Sequence, residues 1–168
     1  IKGNDFAVVG NGSRHGTQIT INGGTLESKV GPGIYHPQDG TLTIKGGTII
    51  GEETGVELRS GKLIITGGTF TSRADSATVE PNGSGTTTAG AALAVVQHTT
   101  KKNINVTISG GTFKGVYSLF QKDIQNNNPD NVTMSVTGGT FNGEVYSENC
   151  PAFIEGGNFN DVSAVNYV

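Results

Sequence analysis

One short phrase recurs along this chain: an aliphatic residue, any residue, Gly-Gly, Thr, then a large apolar residue. Copies begin at Ile21, Ile44, Ile65, Ile108 and Val136, and a drifted copy reads Ile154-Glu155-Gly156-Gly157-Asn158-Phe159. Successive Gly-Gly pairs, counted from Gly23, are 23, 21, 43, 28 and 18 residues apart. A phrase returning about every twenty residues predicts a solenoid, in which each unit buries its apolar face against its neighbours and not within itself.

Upstream of each glycine pair the residues alternate with period two, the pattern of a half-buried strand. Ile19 and Ile21 flank Thr20, Leu42 and Ile44 flank Thr43, Val106 and Ile108 flank Thr107, and Met134 and Val136 flank Ser135. The glycines suit a corner that requires positive φ. Two places after the second glycine stand Leu26, Ile49, Phe70, Phe113, Phe141 and Phe159, which are expected to re-enter the core and stack on one another. Further strands are readable over Phe6–Val9, Gly33–His36, Gly55–Arg59, Ala91–Val96, Val116–Phe120 and Val145–Tyr146. Short strands with no stretch of period 3.6 predict an all-β fold, a parallel β-helix (β-solenoid) of about seven coils. At about 4.8 Å per coil its length is on the order of 33 Å.

By length the 168 residues form a single domain, 1–168. The 43-residue interval carries no phrase at its middle, so it reads as one coil with a long loop near 72–89, Gly-, Ser- and Thr-rich and flexible in composition. A smaller loop is expected near 122–131. The chain opens mid-pattern at Ile1, which reads as a segment of a larger protein.

Composition excludes some partners. A net charge of −3 and a single basic doublet, Lys101-Lys102, leave no stripe to neutralise phosphates, so no nucleic acid is expected. No apolar run has membrane-spanning length. Cys150 is the only cysteine and predicts a small packed residue. His15, His36 and His98 lie in different coils without ligand spacing, so neither a metal nor a cofactor is expected.

Sugar-cleaving chemistry on such a frame needs carboxylates converging from adjacent coils. The densest charged group is Glu52, Glu53, Glu57 and Arg59, with His36 before it and Arg73 and Asp75 after it. No column repeats a carboxylate in two successive coils, and the competing reading is ordinary solvated charge. A catalytic set is therefore not expected, although Glu57 and Arg59 are the residues on which one would rest. In register, Glu57 sits beside Tyr35, both pointing away from the core. Tyr35, Glu57, Tyr117 and Tyr146 are the candidate ligand contacts, the tyrosines offering faces on which a sugar ring stacks.

The run Gly40-Thr41-Leu42-Thr43-Ile44-Lys45-Gly46-Gly47-Thr48, returning along nearly the whole chain, resembles the right-handed β-helix modules of large surface proteins in Gram-positive bacteria. The segment 156–168 looks like the closing segment of such modules. The resemblance implies a right-handed coil, an extracellular or cell wall-attached location as part of a larger protein, and neighbouring modules. It also implies a structural or adhesive, non-catalytic role toward host glycan or surface protein. The fold hosts pectate-lyase-like enzymes too, so a carbohydrate-active β-helix, either binder or lyase relative, is the alternative.

Overall fold

A computed structural model describes residues 1–83, 85–126 and 131–168. The predicted loops therefore fall partly outside it, at Ser84 and at 127–130. The regular elements are β-strands, together with a 3₁₀ segment, Val162–Tyr167. None of the described residues forms a helix long and apolar enough to cross a membrane.

The strands stack in parallel. Those before the glycines, Thr17–Ile21, Gly40–Ile44, Gly61–Ile65, Ile104–Ile108 and Val132–Val136, form a five-stranded sheet in chain order. Ile21, Ile44, Ile65, Ile108 and Val136 are paired in succession. Those after the glycines, Thr25–Ser28, Thr48–Gly51, Thr69–Ser72 and the starts of Thr112–Lys122 and Thr140–Ser147, align Thr25, Thr48, Thr69, Thr112 and Thr140. A third row runs through Val8–Val9, Ile34–His36, Val56–Leu58 and Ala91–Val96 into the later parts of the two long strands. Ile65 pairs directly with Ile108, so the 43-residue interval hides no extra repeat.

The two glycines of the phrase do different work. At Gly47 φ is +99°, and its carbonyl accepts the Thr69 N–H at 2.8 Å, while Gly24 does the same for Thr48 at 2.8 Å. Bonds of the same length join Thr112 to Gly68, Thr140 to Gly111 and Asn158 to Gly139. Positive φ, which glycine adopts without a Cβ penalty, thus directs one carbonyl per repeat along the stack. The first glycine is required for closeness: a Cβ on Gly46 would lie 3.0 Å from the Asn22 carbonyl oxygen.

One continuous core runs between the three rows, with Leu42, Ile44, Leu63, Ile65, Ile49, Phe70, Val56 and Leu93 fully buried. Phe70, Phe113, Phe141 and Phe159 stack at 4.7, 4.7 and 4.6 Å with planes within 7°. That spacing is the strand separation itself, so the rings pack face on face because the backbone ladder carries them there.

Ala91–Val96 is buried at every position, where alternation would be expected of a strand with one wet face. The reason is a second cluster on the outer side: Ala91, Ala94, Val96 and Phe120, packed with Val79, Tyr117, Ile124 and Tyr146. Val79 belongs to the excursion 73–90. That segment, flexible by composition, is instead tethered, since Thr78–Val79 pairs antiparallel with Thr88–Ala89. Cys150 is buried, its thiol 3.5 Å from the Val132 carbonyl.

Val at position 47 would meet the Gly24 oxygen at 2.8 Å and adopt an unfavourable φ. Gly47→Val should cost about 1–3 kcal/mol, and Gly46→Val less, as measured by urea unfolding. Equal stability of both variants with the parent would remove this account of the phrase. Phe113 has rings on both sides and no solvent exposure, so Phe113→Ala should cost about 3–5 kcal/mol in the same assay.

Candidate functional site

Tyr35, Glu57 and Ala94 are aligned neighbours in the third row, their side chains directed away from the continuous core. The register matches the one expected from sequence, but the environment does not. Glu57 and Arg59 have no solvent exposure and Tyr35 retains 6%. The excursion 73–90 lies over them.

Both buried charges bond mainly to groups of that excursion, although the Arg59 Nε has no partner among the described residues. The Glu57 carboxylate accepts the Thr87 N–H at 3.0 and 3.1 Å, the Thr87 hydroxyl at 2.8 Å and the Thr88 N–H at 3.3 Å. Arg59 Nη1 donates to the Gly85 carbonyl at 2.6 Å and to the Tyr35 hydroxyl at 3.2 Å. Its Nη2 donates to the carbonyls of Asn82 at 2.8 Å and Gln97 at 3.4 Å. The Tyr35 hydroxyl also donates to the Gly85 carbonyl at 2.9 Å, and its ring lies 5.6 Å from that of Phe6. A buried carboxylate tolerates burial only when such donors replace water. Here the replacement is partial, because burial pushes the Glu57 carboxyl up to about 7 against the opposing pull of the Thr87 and Thr88 donors and the Arg59 charge.

The remaining members of the charged group separate. Glu53 borders a small cleft of about 140 Å³ with Thr78, Glu80, Thr86, Thr87 and Thr88. Burial raises its carboxyl and the Thr86 hydroxyl counteracts this. Glu52 and Arg73 belong to another surface row, where Arg73 meets Glu27 at 2.7 Å and Glu52 at 3.7 Å, and Lys2 meets Glu27 at 2.9 Å. His36 is buried, aligned with Leu58, and burial lowers its ring to about 4. The reading of this group as solvated charge is thus corrected for Glu57, Arg59 and His36. It holds for exposed Glu52.

The tyrosines also divide. Tyr35, 6% exposed, is held by Gly85 and Phe6 beneath the excursion. Tyr117 and Tyr146 are half-buried and lie together with Phe120, at 5.0 Å (Tyr117–Phe120), 5.5 Å (Phe120–Tyr146) and 6.4 Å (Tyr117–Tyr146). Phe120 was not singled out from sequence. Its signal was its place in the same outer column as Tyr146 and Glu57, through Ala94. Thr87 and Gly85, whose backbone holds the buried charges, lay in a stretch with no periodicity to mark them.

A second polar groove of about 250 Å³ runs beside Tyr35, Gly10, Asn11, Gly12, Gly85 and His98. Among the described residues no group of His, Cys, Asp and Glu is arranged to hold a metal ion. No family model, curated protein or solved structure matches the chain.

Glu57 and His36 give stability opposite dependences on pH. The fold binds the Glu57 proton more tightly than the unfolded chain, where the group titrates near 4.5. Its contribution is full below about 4.5 and lost as pH rises through about 7. The fold favours neutral His36, so that contribution is full above about 6.5 and lost as pH falls through about 4. Between about pH 4.5 and 6.5 the two slopes oppose. Glu57→Gln should therefore gain stability with rising pH across that window, and His36→Leu should lose it. Each slope is at most about 1.4 kcal/mol per pH unit, read from urea midpoints. Variants that keep the parent profile would contradict both assignments.

Proposed function

We propose that the chain is a right-handed parallel β-helix of about seven coils serving as a structural or adhesive module of a bacterial cell-surface protein, without catalytic activity. The observation that carries the reading is the in-register pairing of the phrase through all its copies, a ladder that makes a stiff body with long lateral faces. The module is a single domain, 1–168, interrupted by excursions near 72–89 and 122–131. Supporting the non-catalytic part, Glu57 and Arg59 are occupied in holding an excursion, with no open face toward a substrate. The surface suited to a host glycan or protein is formed by half-buried Tyr117 and Tyr146, backed by buried Phe120, where the tyrosine rings offer apolar area for a sugar ring.

A carbohydrate-active enzyme is the competing reading, favoured by the Glu57 carboxyl near 7 and by the cleft that Glu53 and Glu80 border. One experiment separates the two. The purified chain is screened on a glycan array, then incubated with pectins, mucin O-glycans and uronic-acid polymers while reducing ends and unsaturated products are followed. Binding that falls on the order of tenfold in Tyr146→Ala, with no product from any polymer, is the expected outcome. Product that disappears in Glu57→Gln or Glu53→Gln would replace the adhesive reading by the enzymatic one.

A further inference from the structure

The residue after each stacked phenylalanine faces outward, because side chains alternate along a strand. These positions hold Thr71, Lys114, Asn142 and Asn160, each one place beyond Phe70, Phe113, Phe141 and Phe159. Adjacent strands lie about 4.8 Å apart, so the last three side chains form a short row along the stack. All three can donate hydrogen bonds, and the row begins with a cation.

This row lines a groove of about 380 Å³, within the range of about 300–1,000 Å³ typical of small-molecule sites. The rest of its lining is small: Ser72, Ala74, Gly115 and Gly143. The space exists because side chains are missing there, since a Cβ on Gly143 would collide with the Gly115 carbonyl oxygen. Strand pairing is irregular at the same place, with register shifts between Lys114 and Tyr117 and between Tyr117 and Leu119. Such irregularities bend a strand and re-aim the side chains beside them.

The polar groups of the groove select one kind of ligand. Lys114 is exposed and has no ion pair among the described residues. Glu27, the acid of the same outward column, stands three strands earlier, about 14 Å away by strand spacing, and already bonds Lys2 and Arg73. The Asn160 Oδ1 accepts the Gly143 N–H at 2.9 Å, which leaves its Nδ2 as the group offered to the groove. Among the described residues no carboxylate lines it. Asp75, Glu144 and Asp161 are near in sequence but stand outside it. Asp161 accepts the Ser163 N–H at 2.9 Å, and Glu144 is aligned with Tyr117.

One ammonium and two amides with no facing carboxylate suit an anion, and a bond from an ionised donor to an ionised acceptor is the strongest contact on offer. The amides, spaced along the stack, suit hydroxyls beside that anion, and no large apolar side chain lines the groove to receive a peptide. We infer that this groove binds an acidic sugar residue, its carboxylate or sulfate on Lys114 and its hydroxyls on Asn142 and Asn160. The residues are other than Tyr117 and Tyr146, so the inference does not rest on the tyrosine surface proposed above.

Amide NMR of the whole chain, titrated separately with sialyllactose, sulfated lactose and plain lactose, tests it. At least one charged sugar should shift the Gly115 and Gly143 amides and weaken as salt is raised, whereas lactose should leave them in place. Which charged sugar binds identifies the anion as carboxylate or sulfate. Affinity should fall on the order of tenfold in Lys114→Gln and be kept in Lys114→Arg and in Tyr146→Ala. Lys114 is exposed, and unchanged spectra away from the groove would verify the fold of each variant. The inference is overturned if neither charged sugar shifts these amides, or if lactose shifts them equally. Shifts that persist in Lys114→Gln, or that vanish in Tyr146→Ala, would overturn it as well.

Discussion

The hydrogen bond from the N–H of the residue after one glycine pair to the second glycine carbonyl of the previous repeat is the interaction on which the structure turns. It recurs at 2.8 Å from Thr48, Thr69, Thr112, Thr140 and Asn158. Because it crosses between repeats at the corner, it locks translation along the stack as well as direction of the chain. The same displacement then sets the ring separation of Phe70, Phe113 and Phe141. Residues with a Cβ cannot supply it cheaply, since the carbonyl points along the stack only when φ is positive. Close packing of the first glycine against the preceding turn completes the constraint.

A uniform ladder of this kind would leave every outward side chain in water. The excursion 73–90 changes that over a limited length of the third row. It converts the outer side of Val56–Leu58 and Ala91–Val96 into an interior, where Glu57 and Arg59 must find replacements for solvent. They find them in backbone amides and carbonyls and in the Thr87 and Tyr35 hydroxyls, with the Arg59 Nε left unpartnered, and form no direct ion pair among the described residues. Glu57 is left with an uncompensated desolvation cost, expressed as a carboxyl that keeps its proton near neutrality. His36 bears the converse cost as a buried ring kept neutral. Two buried groups of opposite preference thus moderate each other's pH dependence.

The lateral faces divide the available surface. The five-stranded sheet presents Thr20, Thr43, Ile64, Thr107 and Ser135 in one aligned row, and the Tyr117–Phe120–Tyr146 group lies on the third row.

The sequence alone determined the repeat, the outward facing of Thr20, Thr43, Thr107 and Ser135 on the five-stranded sheet, the stacked position two residues after each glycine pair and the pairing of Tyr35 with Glu57. Those follow from strict local periodicity, since a side chain's facing is decided by its distance from a fixed corner. It also marked the long interval between Gly67 and Gly110 as one repeat with an excursion, since the phrase was missing there. Only the tertiary structure decided what the excursion covers. Its path depends on contacts between residues 50 positions apart, such as Tyr35 and Gly85, in a segment without alternation to read. The fates of Glu57, Arg59 and Tyr35 were decided there. Each has the outward placement its spacing dictates, and each is buried because another part of the chain lies on top of it.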